Sequence, residues 1–133
     1  MILGIGIDSV EIARFNEWVT FSKERMLRIF SAYELDYCLA LPAKSAERLA
    51  VRFAAREACF KALSPLYPTA PFLTLCKAIT ILHNPSGSPV LSIDWEYLAQ
   101  KGHPKNIQKL AIHLSLTHTR TLATAIVILE KHA

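Results

Sequence analysis

The sequence predicts a mixed domain of the α/β or α+β class, and three stretches carry that expectation. The chain opens on an apolar run that alternates with glycine, "ILGIGID"; a long helical pattern runs from about Ser45 to Leu63; and the chain closes on "LAIHLSLTHTRTLATAIVILE", two apolar strands joined near "THTR". At 133 residues, with 52% apolar and 20% charged content, the chain is one domain's worth, 1–133, with enough apolar material for a core.

In the first strand a period of two puts Leu3, Ile5 and Ile7 on one face and Gly4, Gly6 and Asp8 on the other. Glycine inside a strand marks a place where a second backbone or a ligand comes close, so Asp8 sits beside cleared space. The stretch from Glu11 to Leu41 shows scattered helical periodicity, with Ser31 as N-cap and Glu34 completing a capping box three residues on. The helix to Leu63 is broken by "SPLYPTAP". "KAITILH", the turn "NPSGSP" and "VLSI" form a hairpin-like unit. A short helix follows, with Asp94 as its N-cap and Gly102 as its stop.

On the long helix, at about 100° per residue, Glu57 falls in the middle of the apolar stripe formed by Leu49, Ala50, Phe53, Ala54 and Phe60. A carboxylate there needs a partner: Lys61, one turn on, or a cation shared with Asp8, for which a magnesium ion on two carboxylates and a polyphosphate is the chemical fit. Arg52 and Arg56, also one turn apart, read by spacing as a solvated basic edge, or else as a phosphate clamp. His118 in "THT" reads as turn chemistry or as a phosphate contact. Glu34 and Asp36 read as helix N-terminal acids.

The composition narrows the classes. Cys38, Cys59 and Cys76 are odd in number and set in apolar sequence, which favours buried reduced thiols over disulfides, and the histidine spacings do not suit zinc. No apolar run is long enough for a membrane span and no leader pattern opens the chain, so a soluble cytoplasmic protein is expected. The net charge of +4 points to an acidic partner. A nucleic-acid binder would need a basic stripe with aromatics, whereas Lys and Arg here interleave with acids.

"GIGIDSVEIARF", "RFAAREACFKAL" and "LSLTHTRTLATAIVILE", in this order and spacing over almost the whole chain, resemble holo-[acyl-carrier-protein] synthases, the small bacterial 4′-phosphopantetheinyl transferases; Asn84, Gly87 and Pro89 resemble the family's hairpin. The resemblance implies a long helix packed on a small, mostly antiparallel sheet, assembled as a homotrimer with sites between subunits. It implies transfer of the phosphopantetheine arm of coenzyme A to a serine of an acyl carrier protein, with release of adenosine 3′,5′-bisphosphate. Asp8 and Glu57 would ligate Mg2+, for which Mn2+ can substitute, in the room that the glycines clear for metal and pyrophosphate. Lys61 would contact the phosphates, Glu57 would serve as base, and Glu34 and Asp36 would be lesser helpers. Arg52, His118 and Thr119 match coenzyme A-binding positions; Arg14 matches a carrier-docking position, extended by Arg25 and Arg28. The chain departs from the pattern where Ser64 and Pro65 replace the usual glycine turn, which implies a coenzyme A site of altered shape or weaker affinity. A non-catalytic carrier-binding homologue or trimeric interaction module is the alternative.

Overall fold

A computed structural model describes residues 1–103 and 110–132. Strand β1 (Ile2–Glu11) leads through two short 3-10 turns and helix α1 (Lys23–Met26) into α2 (Ala32–Leu39) and the 22-residue α3 (Pro42–Leu63). Helix α4 (Phe72–Ala78), the hairpin β2 (Ile79–His83) and β3 (Pro89–Ile93), helix α5 (Trp95–Gln100) and the pair β4 (Leu110–His118) and β5 (Leu122–Lys131) complete the order. The three-stranded sheet runs β1-β5-β4, all antiparallel, and β2-β3 forms a separate two-stranded sheet.

Most of the expected elements are present, with local differences. Helix α3 begins at Pro42 rather than near Ser45, because proline at the first helical position forfeits no hydrogen bond. Phe72–Ala78 is helical, where the sequence reading has only an apolar approach to the hairpin. Asp94 caps α5 by accepting the Tyr97 N–H at 3.0 Å, and Gly102, at φ 89°, ends it in a conformation that other residues rarely adopt. Among the described residues no helix is long and apolar enough to cross a membrane.

The core lies between α3 and the inner sheet face. Ala123, Ala125, Val127 and Leu129 of β5 point into it, meeting Leu49, Ala54, Ala58 and Ala62 of α3. The glycines of β1 explain how near the helix comes. A Cβ on Gly4 would stand 2.1 Å from the Ala62 carbonyl oxygen, and one on Gly6 would stand 1.7 Å from that of Ala58. The space that the resemblance gives to a metal and a pyrophosphate is therefore filled by helix backbone. On the opposite face, Ile5 and Ile7 are 58% and 59% exposed, opposite the half-buried Ile128 and Ile126 of β5.

Candidate active site

Asp8, Glu57 and Lys61 converge where β1 passes under the middle of α3. Gly6 brings the strand against Ala58, so Asp8, two residues on, shares its face and meets the helix turn that carries Glu57 and Lys61. The pairing is not the intrahelical one. Lys61 reaches across to β1, where its ammonium donates to Asp8 Oδ1 at 3.1 Å and to the Ile7 carbonyl at 3.0 Å. Asp8 Oδ2 is buried and has no hydrogen-bond partner among the described residues. Glu57 is half-buried, and its carboxyl is held above the usual range, first by burial and then by the Asp8 charge, against the opposing pull of Lys61 and Arg14.

Two close carboxylates with an orphaned oxygen suit a hard divalent cation. Among the described residues no group of three or more His, Cys, Asp or Glu side chains could hold a metal; an ion on two acids would take its remaining positions from water and substrate oxygens, a habit that suits Mg2+.

The expectation of a solvated basic edge at Arg52 and Arg56 is overturned, both being buried, whereas Glu34 stands in the first turn of α2, as the reading of a helix N-terminal acid has it. Ser31 Oγ accepts the Glu34 N–H at 3.2 Å as a cap should, but the Glu34 carboxylate turns inward and is fully buried. It takes a two-pronged bond from Arg56, at 2.7 Å to Oε2 and 2.5 Å to Oε1, and accepts the Ile81 N–H at 3.2 Å. Arg56 also donates to the Ile79 carbonyl at 2.8 Å. One ion pair thus ties α2, α3 and β2 together. The capping pattern is a strong local signal that hid a long-range partner.

Arg52 is 3% exposed. It donates to the Arg48 carbonyl at 3.2 Å and lies 4.7 Å from the Tyr37 ring centroid. With His118 it lines a groove between α3, the hairpin and the end of β4, to which Tyr37, Lys44, Glu47, Arg48 and His83 contribute as well. Sequence reading missed Arg48 and His83; the recurrence of arginine at 48, 52 and 56, one turn apart, was the available signal. His118 Nε2 stands 3.2 Å from Glu47 Oε1. The Thr119 hydroxyl accepts the Leu122 N–H at 3.0 Å and the Thr121 N–H at 3.3 Å, which is turn chemistry. Arg14 is exposed, its guanidinium 5.1 Å from the Phe53 ring; Arg25 lies 3.7 Å from the Phe21 ring, and Arg28 and Asp36 are exposed. After Leu63 the chain turns tightly, Leu66 and Tyr67 both donating to the Leu63 carbonyl at 2.8 Å, with the Ser64 hydroxyl bonded to the Lys61 carbonyl.

Residues 4–126 match the family model of the 4′-phosphopantetheinyl transferase superfamily. The chain belongs to that superfamily. Within it, the chain is 40% identical to a holo-[acyl-carrier-protein] synthase of Treponema denticola over 98% of this chain and 99% of that protein, and 36% identical to one of Halothermothrix orenii over the same shares. Solved phosphopantetheinyl transferases share the fold. A holo-(acyl-carrier-protein) synthase from Bacillus anthracis, in complex with CoA (3′,5′-ADP), has a TM-score of 0.73 at 29% identity over 99% of each chain. The Helicobacter pylori synthase, in complex with coenzyme A, has a TM-score of 0.70 at 30% identity over 95% of this chain and 99% of that one.

Proposed function

We propose that this chain is a holo-[acyl-carrier-protein] synthase, transferring the 4′-phosphopantetheine arm of coenzyme A to a serine hydroxyl of an apo acyl carrier protein in the cytoplasm. The observation that carries the reading is the meeting of Asp8, Glu57 and Lys61, with one buried carboxylate oxygen of Asp8 left unbonded.

Asp8 and Glu57 would hold Mg2+, which would supply stabilisation of the charge that gathers on the phosphates. Lys61 presents its ammonium to the same phosphates. The carrier serine oxygen attacks the β-phosphorus in line; the new P–O bond forms as the bond to the adenosine-bearing phosphate breaks, and adenosine 3′,5′-bisphosphate leaves. Glu57, beside the phosphates that Lys61 contacts, takes the serine proton. Arg52, His118 and Thr119 hold the nucleotide end.

Arg14, beside Trp18, and Arg25, beside Phe21, together with the exposed Arg28, form the docking face for an acidic carrier. Asp8 lies on one edge strand and His118 on the other, so one coenzyme A served by both suits a site shared between copies. The exposed isoleucine face of the sheet supports such an assembly, a homotrimer.

Intact-mass spectrometry of apo carrier incubated with the chain, coenzyme A and Mg2+ tests the reading. One phosphopantetheine mass is gained with the wild type and none with Asp8→Ala or Glu57→Ala, both of which stay folded. No gain, with carrier still bound, would favour the non-catalytic carrier-binding reading.

A further inference from the structure

The outer face of the three-stranded sheet is laid out in rows. Register sets Ile7 beside Ile126 and Ile5 beside Ile128, continues the second of these rows to His113 on β4, and puts Glu130 in the next row along β5. Residues directly opposite one another share a face, so these side chains all point away from α3, which packs on the inner face of the sheet.

Two ionisable groups thus border an apolar field. His113 Nε2 stands 2.8 Å from Glu130 Oε2, one strand and one row away, with 56% and 45% of the two side chains exposed. Among the described residues few other charges bear on them. The Met1 amine and His132 act on Glu130 more weakly than His113 does. Asp8 and Lys131 alternate to the inner face, Glu11 stands at the far end of β1, and the acid and bases of α3 lie behind the sheet. β3, which packs against β4, carries no ionisable side chain.

The Glu130 carboxyl titrates below the ordinary carboxylate range, first through its hydrogen bond with His113, so it is charged from about pH 5.5 upward. An imidazole ordinarily titrates near about 6.5. The net charge of the pair around neutrality is therefore set by one proton on His113: zero with it, one negative charge without it. A second copy covering this face strips water from both groups. Opposite charges bonded to each other enter a dry contact at lower cost than a carboxylate whose partner has turned neutral.

We propose that the His113–Glu130 pair is a proton-controlled element of the sheet face between copies of this chain, holding the assembly while His113 is protonated and loosening it when that proton is lost. The inference rests on the trimer reading, which seats further copies on the exposed isoleucines of this face. An imidazole that gains a partner on assembly contributes stability that is complete below its free value and is lost as pH rises through its assembled one.

Light scattering over a dilution series at pH 5.5 and pH 7.5 tests it, with wild type, His113→Gln, His113→Lys and Glu130→Gln, each checked for folding by thermal melt. For the wild type the concentration at half-assembly rises roughly tenfold between the two pH values, the order of one charge-assisted hydrogen bond. His113→Gln stays near the weaker value at both, and His113→Lys near the firmer one, because its charge is fixed. Glu130→Gln reverses the sign, since a lone imidazolium must now be buried in acid. A wild-type midpoint that does not move with pH, or one that moves equally in His113→Gln, overturns the inference and leaves the trimer standing. A monomer mass at both pH values and every concentration overturns the two together.

Discussion

Glu34 shows how one residue changes meaning between sequence and structure. Its local pattern is a capping box, and its structural partner is an arginine 22 positions on, fully buried with it. Breaking a buried pair strands a charge, so Glu34→Ala should lower unfolding free energy by about 3–5 kcal/mol, while Glu34→Leu combined with Arg56→Met should recover much of it; urea denaturation curves of the three proteins measure this. The buried thiols make a second prediction at this scale. Burial pushes Cys38 up to about 11, and Cys59 and Cys76 to about 12, from an ordinary 9.0. Groups that hold their protons more tightly when folded contribute stability that is complete below the unfolded value and lost as pH rises through the folded ones. Stability should therefore fall from about pH 9 toward 12, less steeply in Cys59→Ala, as read from chemical melts across that range. At pH 8 all three thiols should resist alkylation until the protein is unfolded.

Between elements, the decisive contact is β1 against α3. The glycine alternation was legible from the first residues as a close approach, but not which of two things approached, because a period-two pattern reports a face and not its occupant. Helix backbone occupies it. Gly6→Ala should consequently be far more damaging than Gly87→Ala, which meets open space and bears only the strain of a positive φ, about 1 kcal/mol. Thermal melts of the two variants make the comparison. The same limit hid the Lys61 partner. Spacing on one helix offered Glu57, whereas the strand that brings Asp8 within 3.1 Å is 53 residues away.

For the whole molecule, the exposed isoleucines of β1 and the edge-to-edge separation of Asp8 and His118 point the same way. If the proposed trimer is built on this face, Ile7→Lys should lower the light-scattering mass to that of a monomer and lower transfer activity together; an Ile7→Lys variant of unchanged mass and full activity would remove the sheet face from the interface. Arg14→Glu should raise KM for the carrier well above any change for coenzyme A. The acids, the long helix and the terminal strands were readable because each repeats a local period. The basic groove was not, since its lining comes from α2, α3, the hairpin and β4, and only tertiary packing gathers them.

The glycine contact has a mechanical consequence. A helix resting on bare strand backbone has no compressible side chain beneath it, so the seat acts as a hard stop for both sliding and lift. One residue of slip along α3 would be about 1.5 Å, enough to part Asp8 from Glu57 and Lys61. The two acids are thus gauged by a contact that touches neither of them, and a shift of that seat would move Asp8 against Glu57.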